Sequence, residues 1–295
     1  MQPTIIAEEG EPEATTSLFS KSLFFILATF FLTGCNQSKK EAVIAPVIDR
    51  SAIVEQIKTI TAAVLKKVTP KKKIYITFDD GPNRGTLNVL QVVKEENIPV
   101  SFFIVGKHVF DSPQQTATWE QLKEDTAIAL CNHSYTHAGN RYTKFYEDPE
   151  GVVNDFEKSQ EQLQFTNNVA RMPGRNAWRI DSINVTDINQ SRAAIDSVHK
   201  AGFAVMGWDI EWSFDHKTMA PDTATSILLR RIQNLLDAET TKTPGHLVLL
   251  AHDQAFQKVE DVQKLHAFLQ ELKNNTGYEF VLASEYPGVK KKLAD

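Results

Sequence analysis

The stretch Ile74-Tyr75-Ile76-Thr77-Phe78-Asp79-Asp80-Gly81-Pro82 decides how the chain is read. It opens as an apolar, β-branched run behind Lys71, Lys72 and Lys73 and closes in turn signals, the pattern of a buried strand. Two adjacent carboxylates stand at its end. Successive side chains of a strand point to opposite faces, but at a strand end a turn can deliver both acids to one place. Two anions held that close repel, and one takes up a proton unless a cation joins them. The stretch therefore asks for a metal. By itself Asp-Asp-Gly-Pro is also an ordinary turn, so the rest of the chain has to supply further ligands.

Downstream, strand and helix patterns alternate. Strands are expected at 100–105, 127–131, 169–172, 203–208, 246–251 and 279–282. Helices are expected at 86–97, 113–125, 151–165 and 190–201, from a cap at Asp222 to 236, and at 259–272. Alternation of this kind predicts a parallel sheet covered by helices. About seven strands over roughly 220 residues fit either a barrel or an open doubly wound sheet, and periodicity does not choose. No glycine-rich phosphate loop is present.

Four more pieces sit where expected strands end. Asn132-His133-Ser134-Tyr135-Thr136-His137 carries two histidines four apart, a spacing that puts two ring nitrogens on one face of a helical turn. One carboxylate with two imidazoles is a common ligand set for zinc or another divalent first-row metal with open positions. Arg171-Met172-Pro173-Gly174-Arg175 joins a Pro-Gly turn to arginines able to pair bidentately with a carboxylate. Trp208-Asp209-Ile210-Glu211-Trp212 combines acids with rings that suit sugars. Leu247-Val248-Leu249-Leu250-Ala251-His252 is an apolar strand ending in histidine. In parallel α/β folds chemistry gathers at strand C-termini, and all five pieces obey that rule.

These five pieces, in this order, resemble the motifs of the polysaccharide deacetylases, the NodB-homology carbohydrate esterases of family 4, over about 72–282. The resemblance implies a distorted (β/α)7 barrel, a divalent metal, most often zinc, and hydrolytic removal of acetyl groups from a polysaccharide. It implies Asp80, His133 and His137 as ligands and Asp79 as general base. Arg171 would hold Asp79 ionised, and His252 would be the general acid. A backbone N–H of the Pro173-Gly174 turn would receive the oxyanion, and Leu250 would line the acetyl pocket. Two departures stand out. Gly174 and Arg175 follow Pro173 where an aromatic residue and glycine are usual. Glu211 falls where an aspartate normally tunes the histidine, with Asp209 as the other candidate, and Trp212 is expected against the sugar. The alternatives are a glycan-binding or assembly protein of the same fold without turnover, and a deacetylase of a non-sugar amide.

The chain has 295 residues, 42% of them hydrophobic, and a net charge of -5. That fits one large domain or at most two, and offers nucleic acid no basic surface. Two cysteines rule out a disulfide framework. The apolar run 23–31 behind Lys21, followed by Leu32-Thr33-Gly34-Cys35, reads as a secretory signal and resembles the lipobox of bacterial lipoproteins. That implies cleavage before Cys35, lipid on its sulfur, and a monomeric enzyme held at a membrane in the cell envelope, outside the cytoplasm. Glu8, Glu9, Glu11 and Glu13 do not suit such a leader, so translation is expected to start near Leu18. The expected organisation is a leader at 1–35, a linker with an amphipathic helix at 36–71, and a catalytic domain at 72–295.

Overall fold

The computed structural model describes residues 50–67 and 70–289. The expected leader with Cys35, and the linker as far as residue 49, lie outside the described residues. The expected N-terminal helix is present as Arg50–Lys67, and its Ile53, Val54 and Ile57 are exposed.

The strands are β1 (Lys72–Gly81), β2 (Val100–Ile104), β3 (Ile128–Asn132), β4 (Val169–Ala170), β5 (Ala177–Ile180), β6 (Ile183–Thr186), β7 (Ala204–Val205), β8 (Ile210–Glu211), β9 (Phe214–Asp215), β10 (Ala220–Pro221), β11 (His246–His252) and β12 (Tyr278–Phe280). Seven of them run parallel in the order β7-β4-β3-β2-β1-β11-β8, and β12 pairs in parallel with the start of β1. Laid flat, the two outermost of seven strands would stand about 29 Å apart, at roughly 4.8 Å per step. Yet the chain leaves β7 at Val205 and enters β8 at Ile210. Five residues reach at most about 18 Å. The sheet is therefore curled until its edges approach, giving the distorted barrel and excluding an open doubly wound sheet.

Both faces of the curled sheet are buried, which explains the continuous apolar runs. Ile74, Ile76, Phe78, Phe102, Leu247 and Leu249 face outward into a core shared with the helices Thr86–Glu96, Thr225–Asp237 and Val259–Lys273. Tyr75, Phe103, Cys131, Val169, Met206 and Val248 fill the interior. Cys131 is free and fully buried, and burial pushes its thiol up to about 12, as suits an inert filler.

The structure corrects several boundaries. The regular ladders at 169–172 and 203–208 shrink to two residues each. An antiparallel hairpin, β5 with β6, extends the sheet beyond β7; its four-residue strands are too short to show periodicity. Asp222 does not cap the following helix, which begins at Thr225 after Ala224. Its carboxylate instead accepts from Ser213 Oγ at 2.6 Å.

Candidate metal centre and active site

β1 alternates inward and outward until Asp79, whose side chain points inward and is 3% exposed. Simple alternation would send Asp80 outward. The register against β2 instead steps from Asp79–Phe103 to Gly81–Ile104, leaving Asp80 as the extra residue of a bulge. Its φ of 74° is left-handed, rare for a residue with a Cβ. The bulge re-aims the side chain, and both acids reach one site.

The two histidines converge by a route other than the helical turn expected. His133 leaves β3, Ser134 and His137 take left-handed φ values of 65° and 51°, and Ser134 Oγ accepts the His137 N–H at 3.0 Å. The rings lie 4.9 Å apart. His133 Nδ1 meets the carbonyl oxygen of Arg171 at 2.8 Å. A carbonyl only accepts, so Nδ1 carries the hydrogen and Nε2 keeps a free lone pair. Asp80 Oδ1 lies 3.4 Å from that Nε2 and 3.1 Å from His137 Nε2. The ligand atoms of all three residues lie within 4.8 Å of one another. Asp80 Oδ1 is buried and has no hydrogen-bond partner. Burial alone would raise the Asp80 pKa, but the two imidazoles outweigh it and hold the carboxyl well below its usual range. For His133 burial opposes charge, while Asp79 and Asp80 raise its pKa. A buried oxygen without a donor between two aligned imidazole nitrogens fits a divalent cation.

Arg171 is fully buried and anchors Asp79. The pairing is not the bidentate one expected: Nη1 donates to Asp79 Oδ1 at 2.7 Å and to Thr77 Oγ1 at 2.9 Å. Nε donates to the Met206 carbonyl and Nη2 to the Gly207 carbonyl, at 3.1 and 2.9 Å. The guanidinium thus ties β1 to the segment that bridges the barrel edges. Asp79 Oδ2 is left facing His133 Nε2 at 3.6 Å.

These groups open into a cleft of about 320 Å³ that Gly174, Trp208, Glu211, Phe214, Leu250 and His252 also line. The Arg175 N–H donates to the Met172 carbonyl, closing the Pro173-Gly174 turn, and Tyr146 Oη donates to the Pro173 carbonyl. His252 sits beside Asp79 in the β1–β11 register, with Nε2 4.0 Å from Asp80 Oδ2.

Two residues expected in the site are elsewhere. Trp212 is 2% exposed, packs on Phe256 and Phe268, and donates its ring N–H to the Thr223 carbonyl. It is core, as is Trp178; of these tryptophans and Trp208, the last lines the cleft. Asp209 accepts from the Lys242 and Val248 backbone N–H groups, so its carboxylate secures the start of β11. Glu211 does reach the cleft. Burial raises its pKa, with His252 opposing. No hydrogen bond joins it to His252, whose Nδ1 is buried and without a partner.

Sequence reasoning passed over several residues at the site. Tyr142 lines the cleft, with Oη 3.5 Å from His137 Nδ1. Gln254 reaches Asp80 Oδ2 at 3.4 Å. Asp253, wholly buried, accepts from Asn83 Nδ2 and from Thr86 Oγ1, tying the loop after β1 to the loop after β11. Isolated polar residues carry no spacing signal, although Asp253 follows His252 directly.

The family model described as polysaccharide deacetylase matches residues 66–176. A Bacillus subtilis protein named for the same family is 27% identical over 213 residues, covering 71% of this chain and 66% of its own. The peptidoglycan-N-acetylglucosamine deacetylase of Bacillus cereus is 29% identical over 215 residues, covering 71% of this chain and 68% of its own. This chain thus spans about two thirds of the length of these relatives. A family 4 carbohydrate esterase from Streptomyces lividans, solved in complex with acetate, shares the fold with a TM-score of 0.52 at 18% identity, over 75% of this chain and 97% of its own. The matched segment carries both acids, both histidines and Arg171, and over it the chain is similar to the polysaccharide deacetylases.

Proposed function

We propose that the protein removes N-linked acetyl groups from an envelope or extracellular polysaccharide, with a divalent cation, zinc by donor type, held by Asp80, His133 and His137. The observation that carries this reading is the buried, donor-free Asp80 Oδ1 between two imidazole nitrogens, beside a second acid anchored by arginine. When bound, such an ion lowers the pKa of water and polarises a carbonyl. The protein's own groups do the rest. Asp79 Oδ1 is committed to Arg171, so Oδ2 takes the proton from the attacking water. Arg171 holds that acid in place, through Nη1 to Oδ1 at 2.7 Å. The Gly174 N–H donates to the oxyanion that forms from the acetyl carbonyl. His252 gives a proton to the departing amine. Glu211, across the register from Leu250, lines the cleft with His252, and Leu250 walls the acetyl methyl. Lipid on Cys35 would hold the enzyme beside its polymer.

Acetate release from defined glycans tests this: chitooligosaccharide, peptidoglycan, poly-N-acetylglucosamine and acetylated xylan, each with and without chelator. Chelator-sensitive release from an N-acetylated glycan is expected. A chain that binds one metal and these glycans, yet releases no acetate, would instead be a binding protein.

A further inference from the structure

We propose that His108 is a positioning residue that latches the β1 bulge and so aims Asp80 at the metal. This rests on the reading of Asp80, His133 and His137 as the ligand set. The bulge takes Asp80 out of the β1–β2 ladder, between the Asp79–Phe103 and Gly81–Ile104 pairs. Its carbonyl therefore needs a partner from outside the ladder. His108, on the short helix Gly106–Phe110 that follows β2, supplies it: Nδ1 lies 2.8 Å from Asp80 O. Since the carbonyl only accepts, Nδ1 is the protonated nitrogen. The helix is itself pinned to the bulge, because the Val105 N–H donates to the Gly81 carbonyl at 2.9 Å. It is pinned to the histidine loop as well, because the Gly106 and Lys107 N–H groups donate to the carbonyls of Ser134 and Tyr135 at 2.9 and 2.8 Å. A left-handed conformation is unfavourable for a residue with a Cβ, and Asp80 holds it at a φ of 74°. The hydrogen bond from His108 offsets that cost only in the backbone geometry that points the carboxylate at the imidazoles. The same short helix thereby fixes the spacing between the acid ligand and the loop that carries both histidine ligands.

His108→Asn and His108→Leu separate this role from packing. The two side chains have the same shape, and asparagine Nδ2 branches from Cγ as histidine Nδ1 does. Zinc affinity of the full chain is measured by chelator competition, with thermal unfolding of the metal-free protein beside it. Asparagine is expected to keep zinc affinity within about threefold of wild type. Leucine is expected to lose about 10- to 100-fold, the range for groups that orient a ligand from outside the coordination sphere. His108→Ser, too short to reach the carbonyl, gives the same loss if the leucine variant does not fold. Equal zinc affinity in wild type and His108→Leu, or equal loss in the asparagine and leucine variants, would overturn the role of His108 alone. Absence of zinc binding in the wild type would overturn the ligand set and this inference with it.

Discussion

At Asp79 the division of labour is sharpest, because one oxygen is held by Arg171 and the other faces His133 Nε2. Asp79→Asn is expected to keep a full complement of metal while turnover falls about 100- to 10,000-fold, the span for a lost general base; metal content and acetate release check it together. Gly174 has a φ of +62°, and a Cβ there would meet Tyr142 Cε1 at 3.1 Å. Gly174→Ala is expected to cost about 1 kcal/mol in denaturant unfolding, since the backbone is strained and the ring has to give. Single residues were legible in the sequence where they end a strand. Both acids, His133, Arg171 and His252 announce themselves as polar residues closing apolar runs, and His137 by its four-residue spacing from His133. Trp212 was misassigned because residue type does not tell which face of an irregular two-residue strand a ring leaves from. The convergence of His133 and His137 was right, but its cause, left-handed residues in a loop, has no periodic signature.

Among the elements, the aromatic cluster under β8 and the two loops that meet at Asp253 make different claims. Trp212→Ala removes a ring packed on Phe256 and Phe268, at an expected cost of about 3–5 kcal/mol in chemical unfolding. Trp208→Ala is expected to act mainly on KM for the polysaccharide, as the tryptophan lining the cleft. Burial raises the Asp253 carboxyl to about 7. An unfolded aspartate titrates near about 3.9. Between those values the folded chain keeps a proton that the unfolded chain has released, so this group's contribution to stability falls as pH rises from about 4 to about 7. The expected loss is on the order of a few kcal/mol, and Asp253→Asn should flatten that slope in unfolding curves of the metal-free protein. Long helices and the fully buried strands were legible from their apolar periodicity. The β5–β6 and β9–β10 hairpins were not, because pairs of two to four residues are set by partners distant in sequence.

For the molecule as a whole, alternation revealed an α/β sheet, but its closure depends on a four-residue bridge, 206–209, that no periodicity reports. That bridge also supplies the Met206 and Gly207 carbonyls that hold Arg171, so barrel closure and the anchoring of Asp79 depend on the same segment. Among the described residues no helix is long and apolar enough to cross a membrane. Cys35→Ser is expected to abolish incorporation of a labelled fatty acid and to shift the protein from the membrane pellet to the supernatant. The account as a whole rests on three side chains sharing one ion, and zinc-edge anomalous diffraction from crystals grown with one equivalent of zinc tests that most directly. A single peak about 2.0–2.2 Å from an Asp80 oxygen, His133 Nε2 and His137 Nε2 is predicted, absent in Asp80→Ala. No peak among these residues in the wild type, or an undiminished peak in Asp80→Ala, would contradict it.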